Sequence, residues 1–188
     1  MDSREKLLDV AYEEIYHNGY HATSVDKILK KANMNKGSMY HFFKSKKELG
    51  LAVINERVKN YIEDKYSVLL KYDKNIIDEL IKLLRARDSF DFNLGCKLNN
   101  LVQELSSKDK DFKNALESVY FHFESLIEQA LNNAIKVDEI PNQDTKSLSI
   151  YIVASLEGCL GTAKKSQDGQ IFFQCISQLE LFLNSLKK

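Results

Sequence analysis

The chain has 188 residues, with 27 basic and 27 acidic side chains, so its formal net charge at pH 7 is zero. Apolar residues make up 44% and charged residues 29%, which is typical of a globular protein and excludes a disordered or fibrous chain. Charges interrupt every apolar run before the roughly 18 residues that a membrane span needs, and the first residues lack an apolar signal core. We therefore expect a cytoplasmic protein that does not associate with membranes.

Few residues in this sequence favour turns and sheets. It has seven glycines and one proline, Pro141, while apolar side chains recur at helical spacing along most of the chain. The sequence therefore predicts an all-α fold. Beyond residue 50 we predict helices up to about residue 72 and at residues 75–87, 95–105, 110–137, 145–165 and 169–186, with a loop at residues 88–93.

The three cysteines, Cys96, Cys159 and Cys175, lie far apart, and none belongs to a C-x-x-C motif. Their odd number and spacing predict neither a disulfide framework nor a zinc site. We interpret them as small core side chains. A redox sensor is the alternative, although nothing nearby in the sequence would lower a thiol pKa.

Polar residues that favour helix ends divide the first 50 residues into short helices. Ser3 is positioned to cap a first helix, which we expect to end at residues 17–19, where Asn or Gly can adopt a left-handed conformation. Thr23 and Asp26 fit a capping box before a two-turn helix at residues 25–31.

The next two helices have equally clear signals. Asn33 tolerates the left-handed conformation that a tight turn needs, and Asn35 can cap a third helix at residues 36–43. Ser45 and Glu48 form another capping box, which predicts the start of a fourth helix. Two short helices joined by a tight turn after a longer one indicate a helix-turn-helix.

The positive charge of this region favours DNA as its partner. Between Lys27 and Lys47 there are seven lysines and no acidic residue. In a helix-turn-helix the second helix enters the major groove, and flanking cations neutralise phosphates. The alternative is that these lysines only form a solvated surface, but that does not explain why acids are absent from the segment.

The segment GYHATSVDKILKKANMNKGSMYHFFKSKKEL resembles the N-terminal DNA-binding domain of TetR-family transcriptional regulators. The resemblance depends on matches at the following positions: Gly19, Thr23, Ser24, Val25, Ile28, Ala32, Gly37, Ser38, Met39, Tyr40, Phe43, Lys46 and Leu49. Asn33 and Asn35 replace the usual turn glycine and the usual Ser or Thr cap. We therefore predict a three-helix DNA-binding domain at residues 1–49 and a helical ligand-binding and dimerisation domain at residues 50–188.

The resemblance implies DNA contacts at eight positions. These are Thr23, Ser24, Lys36, Gly37, Ser38, Tyr40, His41 and Lys46. Thr23 or Ser24 and Lys46 would bind phosphates, while Lys36 and Ser38 would reach base edges or phosphates. Gly37 has no side chain and would let the helix approach the DNA closely. The implied partner is a palindromic double-stranded operator.

TetR-like regulators use the second domain to dimerise and to bind a ligand. Segments around Cys96 and Glu157 resemble those of a subgroup that includes repressors of multidrug-resistance genes. Candidate dimer residues, on the last two helices, are Leu148, Ile152, Leu156, Cys159, Phe172, Ile176, Leu179, Phe182 and Leu183. Candidate pocket residues are Phe90, Phe92, Cys96, Leu101, Tyr120, Phe123, Tyr151, Ser155 and Glu157. Each candidate could instead be an ordinary core residue, and Glu157 could attract a cationic ligand.

Three functions remain to be compared. The favoured one is a homodimeric repressor that a small, largely apolar effector releases from DNA, and the alternative is a constitutive DNA-binding dimer. An enzyme is disfavoured because the sequence has no nucleophile elbow, phosphate-binding loop or H-E-x-x-H motif. The four histidines lack metal-ligand spacing, so we predict no catalytic residue, metal or cofactor.

Overall fold

The computed structural model describes residues 2–87 and 90–188. Every regular element in these two ranges is helical, which confirms the predicted all-α fold. The α-helices described there are α1 (Ser3–Asn18), α2 (Val25–Ala32), α3 (Lys36–Phe42), α4 (Lys46–Ala52), α5 (Lys59–Tyr66), α6 (Ile76–Arg85), α7 (Lys97–Leu105), α8 (Lys110–Lys136), α9 (Thr145–Ser166) and α10 (Gly169–Ser185). Of the predicted loop at 88–93, Asp88 and Ser89 lie outside the described residues.

The segment predicted as one helix up to residue 72 is less regular. A π-helical segment, Val53–Val58, separates α4 from α5, and a 3₁₀ helix, Ser67–Lys71, follows α5. Apolar periodicity detects a helical path but does not distinguish these hydrogen-bonding patterns. Within the described ranges, none of the helices combines the length and apolar character that crossing a bilayer requires.

Several helix ends follow the predicted chemistry. Gly19 ends α1 at φ 81°, and Asn33 ends α2 in the left-handed conformation at φ 53°. The side chain of Asn35 accepts a hydrogen bond from the Ser38 amide, and that of Ser45 accepts one from the Glu48 amide. The left-handed turn and the caps of α3 and α4 are therefore confirmed.

Two predicted caps are wrong. Ser3 is the first residue inside α1, and Asp2 precedes it as the cap position. The cap of α2 is Ser24, whose hydroxyl accepts from the Lys27 amide at 3.1 Å. Thr23, predicted to form a capping box with Asp26, is fully buried instead. Adjacent Thr and Ser residues are both good caps, and packing decides which of them faces the helix end.

The chain forms two compact units. The first contains the residues up to Tyr61 together with Lys97–Val119, and the second contains Ile62–Cys96 and Tyr120–Lys188. Each unit is therefore assembled from two separate chain segments. The boundary predicted between residues 49 and 50 separates a DNA-binding domain from a ligand-binding domain. This division by function stays a prediction.

The core of the first unit joins the short N-terminal helices to α7 and the start of α8. Leu8 in α1, Met39 in α3 and Leu49 in α4 are fully buried. Tyr20, after α1, packs edge-on against Phe112 of α8 with ring centroids 4.9 Å apart. This core fixes the helix-turn-helix, so that α3 presents its opposite side to solvent.

In the second unit, α9 and α10 pack side by side. A disulfide joins Cys159 in α9 to Cys175 in α10, with the Cα atoms 5.5 Å apart. The prediction that the cysteines form no disulfide is therefore wrong, and Cys96 is the cysteine outside this bond. Cysteine spacing could not reveal this pair because the register of two packed helices brings its members together.

Candidate nucleic-acid interface and candidate ligand site

The exposed start of α3 is the centre of the candidate nucleic-acid interface. Met39 is buried and anchors the helix, while Tyr40 is 54% exposed and His41 is exposed. The Ser38 amide lies 2.9 Å from Asn35 Oδ1, and the Ser38 hydroxyl donates to the same oxygen at 3.2 Å. The helix start is thus held rigidly with its polar side chains toward solvent.

Gly37 has a local role that the sequence did not reveal. A Cβ at this position would lie 3.2 Å from Asn35 Oδ1, which is closer than most real Cβ contacts. The glycine therefore leaves space for the Asn35 cap. Close approach to DNA, which the family resemblance implies, stays a prediction.

Of the two residues predicted to contact phosphate before α2, only Ser24 is exposed. Thr23 is 0% exposed, and its hydroxyl is bonded to the carbonyl oxygens of Glu14 at 3.1 Å and Gly19 at 2.7 Å. Thr23 therefore fixes the turn between α1 and α2 from inside. A DNA contact needs a side chain at the surface, so the buried Thr23 does not fit this prediction, and the contact stays a prediction for Ser24.

The buried carboxylate of Glu14 neutralises two of the seven lysines. Lys27 Nζ lies 2.9 Å from Glu14 Oε2, and Lys31 pairs with Oε1. Hydrogen bonds from Lys31 and then Lys27 lower the pKa of Glu14, despite burial. A buried carboxylate needs such partners, so these two lysines serve the fold of the first unit.

The segment from Lys27 to Lys47, which contains no acidic residue, is called the acid-free segment. Two further lysines of this segment pair with acidic residues that lie outside it. Lys36, at the start of α3, lies 2.9 Å from Asp26 Oδ1. Lys47 lies 2.7 Å from both Asp109 Oδ2 and Asp111 Oδ2. The Lys36–Asp26 pair is exposed, and such pairs are weak enough for a phosphate to compete with them.

Lys46, predicted to bind a phosphate, lies against an aromatic ring. Its Nζ is 4.3 Å from the centroid of Tyr20 and 3.4 Å from the carbonyl oxygen of His21, and burial lowers its pKa. Among the described residues, the exposed Lys30 and Lys44 have no carboxylate within 4.0 Å. They are the cations of the segment that are most available to DNA.

Two residues of α7 tie this helix to the rest of the first unit, and the sequence analysis missed both. The Glu104 carboxylate accepts hydrogen bonds from the backbone amides of Tyr20 at 2.9 Å and His21 at 2.7 Å. The Lys97 ammonium lies 4.5 and 4.6 Å from the ring centroids of Tyr12 and Tyr16 in α1. No local pattern marks these contacts, which join positions far apart in sequence.

The candidate ligand site is a group of buried polar side chains in the second unit, with Glu157 of α9 at its centre. Glu157 is 7% exposed, and its Oε1 accepts a hydrogen bond from Cys96 Sγ at 3.1 Å. Its Oε2 is buried and has no hydrogen-bond partner among the described residues. Burial raises the pKa of Glu157 to about 7, against the lowering effects of Cys96 and Arg87.

Arg87, which the sequence analysis also missed, supplies a buried positive charge close to Glu157. It is 6% exposed and donates to the carbonyl oxygens of Leu83 at 3.1 Å and Ala86 at 2.7 Å. Its Nε is buried without an acceptor among the described residues. Lys65 donates to Ala86 at 3.0 Å, and burial followed by the charge of Arg87 lowers the Lys65 pKa to about 8.

Aromatic side chains lie beside this polar group. The Arg87 guanidinium carbon is 5.4 Å from the Phe172 ring centroid and 5.8 Å from that of Phe90. Phe92 is 5.1 Å from Phe90 and 5.4 Å from Phe172. Burial, and then the charge of Glu157, raise the pKa of the Tyr120 hydroxyl, which therefore remains neutral. Of the predicted pocket residues, the structure thus brings together Phe90, Phe92, Cys96, Tyr120 and Glu157.

The other predicted pocket residues have different environments. Tyr151 is exposed and contacts Phe182 at the surface of the second unit, so its assignment to a pocket is wrong. Leu101 is buried in the first unit, so it does not belong to this group. Phe123 is fully buried against Tyr66, and Ser155 is only half-buried.

The predicted dimer residues are largely core residues of a single chain. Eight of them are buried: Leu148, Ile152, Leu156, Cys159, Phe172, Ile176, Leu179 and Leu183. Phe182 is the one of the nine that is exposed, and the eight buried side chains leave little surface for a second copy, so the dimer contacts stay a prediction. Exposed apolar residues also remain on the two helices, Ile150 and Tyr151 on α9 and Leu181 and Phe182 on α10, and Tyr151 contacts Phe182; we call these four the apolar face. Phe173 is exposed too, but it packs against Phe92.

Gly158 and Gly161 of α9 both lie at exposed positions. A Cβ at either position would meet no atom within 4 Å. Among the described residues, no group of three or more His, Cys, Asp or Glu side chains could hold a metal ion.

The capped, exposed α3 and the helices that hold it define a DNA-binding regulator of the helix-turn-helix class. The family model described as bacterial regulatory proteins, tetR family, matches residues 7–53. A second model, the C-terminal domain of LmrA/YxaF-like transcriptional regulators, matches residues 74–178. The chain belongs to the TetR family of transcriptional regulators, which confirms the family predicted from the sequence.

Relatives extend this similarity over most of the chain. An uncharacterised HTH-type regulator in the lacX 3′ region of Lactococcus lactis subsp. lactis is 31% identical over 176 residues, covering 89% of this chain and 86% of that protein. The HTH-type transcriptional repressor NemR of Escherichia coli K12 is 26% identical over 136 residues, covering 70% and 68%. The crystal structure of E. coli NemR in its reduced form has the same fold, with a TM-score of 0.87, 22% identity and coverage of 100% and 98%.

Proposed function

We propose that this regulator is a homodimeric repressor that binds a palindromic operator and leaves it when a small, largely apolar ligand binds the second unit. The observation that carries the DNA-binding part is the rigid cap of α3, with Ser38, Tyr40 and His41 at its solvent side. Lys30 and Lys44 supply unpaired charge beside it. The protein then acts in the cytoplasm, where its operator lies.

The apolar face of α9 and α10 supports dimerisation. Leu181 is 62% exposed, and Tyr151 packs on Phe182 with ring centroids 5.3 Å apart at the surface. A contiguous exposed apolar surface on two adjacent helices is suited to a partner helix pair. Two-fold symmetry would place two copies of α3 in successive major grooves of a palindromic site.

The buried polar group supports a ligand. Glu157 Oε2 and Arg87 Nε are buried without partners among the described residues, which is rare in an interior that has no further function. A ligand that binds better to a DNA-incompetent state would shift the population away from the operator. No observation favours the constitutive alternative, and the release experiment described below separates the two.

The first test measures binding of the purified protein to a labelled duplex from upstream of its own gene, against a scrambled duplex, across a salt series. We expect a preference for the upstream duplex and an affinity that falls steeply with salt. Candidate ligands are then added to the complex. Release by one of them supports the inducible repressor, and retention with every ligand that binds the protein supports the constitutive dimer.

The Asp26→Asn variant tests the proposed DNA interface in the same duplex-binding experiment. The substitution frees Lys36 and removes a negative charge that repels phosphate, so we expect affinity to rise about two- to fivefold. Asp73→Asn, at an exposed position in the second unit, is the matched control and should leave affinity unchanged. Weaker binding by Asp26→Asn, or no preference for the upstream duplex, would contradict the proposed interface.

A further inference from the structure

The second unit buries two hydrogen-bonding atoms that have no partner among the described residues. Glu157 Oε2 accepts hydrogen bonds, while Arg87 Nε donates one. Both side chains are more than nine-tenths buried, so water does not reach these atoms freely. A buried polar atom without a partner is costly, and a bound ligand group is a common reason for one in a folded protein.

Charge decides which ligand group fits these atoms. Arg87 and Lys65 both carry positive charge, and burial, followed by the charge of Arg87, lowers the pKa of Lys65. Glu157 is the carboxylate on which the charge of Arg87 acts, and its Oε1 accepts a hydrogen bond from Cys96. Tyr120 stays neutral beside Glu157, with Glu124 as a second, weaker acidic neighbour of its hydroxyl. The cluster is therefore net positive. A cationic ligand, which Glu157 alone had suggested, would be repelled by Arg87 and Lys65.

The neighbouring aromatic rings define the rest of the ligand. Phe90 and Phe172 lie on the guanidinium of Arg87, and Phe92 contacts both rings. Such side chains favour an apolar body over a sugar or a polyphosphate. The described residues beside Arg87 therefore provide one polar end and one apolar wall.

We propose that this cluster binds the carboxylate of a small apolar acid, which accepts hydrogen bonds from Arg87 Nε and from the protonated carboxyl of Glu157. The inference rests on the proposed function, since it names the ligand class of the same site. The ligand carboxylate takes the place of the missing acceptor for Arg87. Glu157 is fully protonated in the complex, because two carboxylates cannot share the site while both are ionised, so binding near neutral pH takes up a fraction of one proton from solvent.

The test compares ligands that differ only in charge. Hexanoate, hexanamide and hexylamine form one series, and 3-phenylpropanoate, its amide and its amine form the second. We expect each acid to bind at least about tenfold more tightly than its amide and amine, as measured by calorimetry near neutral pH. Calorimetry in two buffers with different ionisation enthalpies should show proton uptake with the acids.

Two variants assign the effect to named atoms. Glu157→Gln supplies a neutral N–H donor in place of the protonated carboxyl, so it should keep acid binding and lose proton uptake. Arg87→Gln should lose the preference for the acid, while Arg85→Gln, which breaks a surface pair with Glu180, is the matched control. The Glu157→Gln result tests the proposal even where Arg87→Gln does not fold.

Tightest binding by an amine, loss of acid binding in Glu157→Gln, or no binding by either series up to about 10 mM would overturn the inference. Binding to the upstream duplex is measured on the same preparations. If the protein binds the duplex but none of the acids, the proposed ligand class is wrong and the proposed DNA-binding function still stands. Acid binding without DNA binding supports the site and defeats the proposed function.

Discussion

Glu157 shows how one buried side chain makes stability depend on pH. Its pKa in the unfolded chain is near 4.5, and burial raises it to about 7 in the folded chain. Between these values the unfolded chain has lost the proton that the folded chain keeps. Stability therefore falls as the pH rises from about 4.5 to about 7 and is constant above that, as far as this residue is concerned.

We predict that Glu157→Gln removes this loss. The variant should be more stable than the original chain by roughly 3 kcal/mol above neutral pH and about equally stable at low pH, because the amide stays neutral. Urea unfolding at about pH 5 and pH 8 measures the difference. Glu128→Gln, on α8, is the control. Equal gains at both pH values would show that the ionised form of Glu157 is not penalised.

At the residue scale, sequence reasoning identified unusual residues but not their partners. Glu157 was detectable because a carboxylate interrupts an apolar stretch, and Cys96 lies in a segment that resembles a subgroup of the family. Arg87 and Lys65 were not detectable, since each is one of many cations in a charged chain. Their roles come from burial, which only the folded chain establishes.

At the scale of single helices, Gly50 in α4 has the least room for a side chain among the described glycines. A Cβ on Gly50 would lie 2.6 Å from Tyr20 Cε2 and 3.2 Å from Phe112 Cε1, so these rings would have to move. We predict that Gly50→Ala destabilises the protein by about 1–3 kcal/mol, as overpacking does in other cores. Urea unfolding measures this loss.

A double-mutant cycle tests the steric cause. Tyr20→Leu removes the ring atom nearest to the added Cβ, so Gly50→Ala should cost clearly less in that background. Additive effects of the two substitutions would mean that another contact, or the backbone itself, accounts for the loss.

At the scale of helices, local signals were reliable and long-range signals were not. The left-handed Asn33 and the Asn35 and Ser45 caps were predictable because each involves residues close in sequence. The Cys159–Cys175 disulfide was not predictable, because it depends on how α9 packs against α10. The choice of Ser24 over Thr23 as a cap also depended on packing.

At the scale of the whole molecule, the apolar face of α9 and α10 should form the dimer interface. We predict that Leu181→Lys converts the protein to monomers and weakens operator binding, because a charge would be buried against the partner. Phe121→Lys is a closely matched control, since Phe121 and Leu181 are both 62% exposed and Phe121 lies on α8. Sedimentation velocity measures the oligomeric state of each variant.

Monomers from both variants would mean that the interface extends to α8, and dimers from both would exclude the apolar face as the interface. The predicted dimer residues lie mostly in the core because α9 and α10 carry both buried and exposed apolar side chains. Helical periodicity marks both groups but does not distinguish the core of one chain from a surface for a second copy.

The ion pairs of the acid-free segment also bear on how this regulator would search a chromosome. Lys36 and Lys47 already have carboxylate partners, so a random stretch of duplex gains attraction from them only by displacing an aspartate. Few counterions would be released at such sites, and visits to them would be brief. An operator that also engages the side chains of α3 would hold the protein for longer. Internal carboxylates would thus keep a low-abundance regulator from being trapped on the rest of the genome.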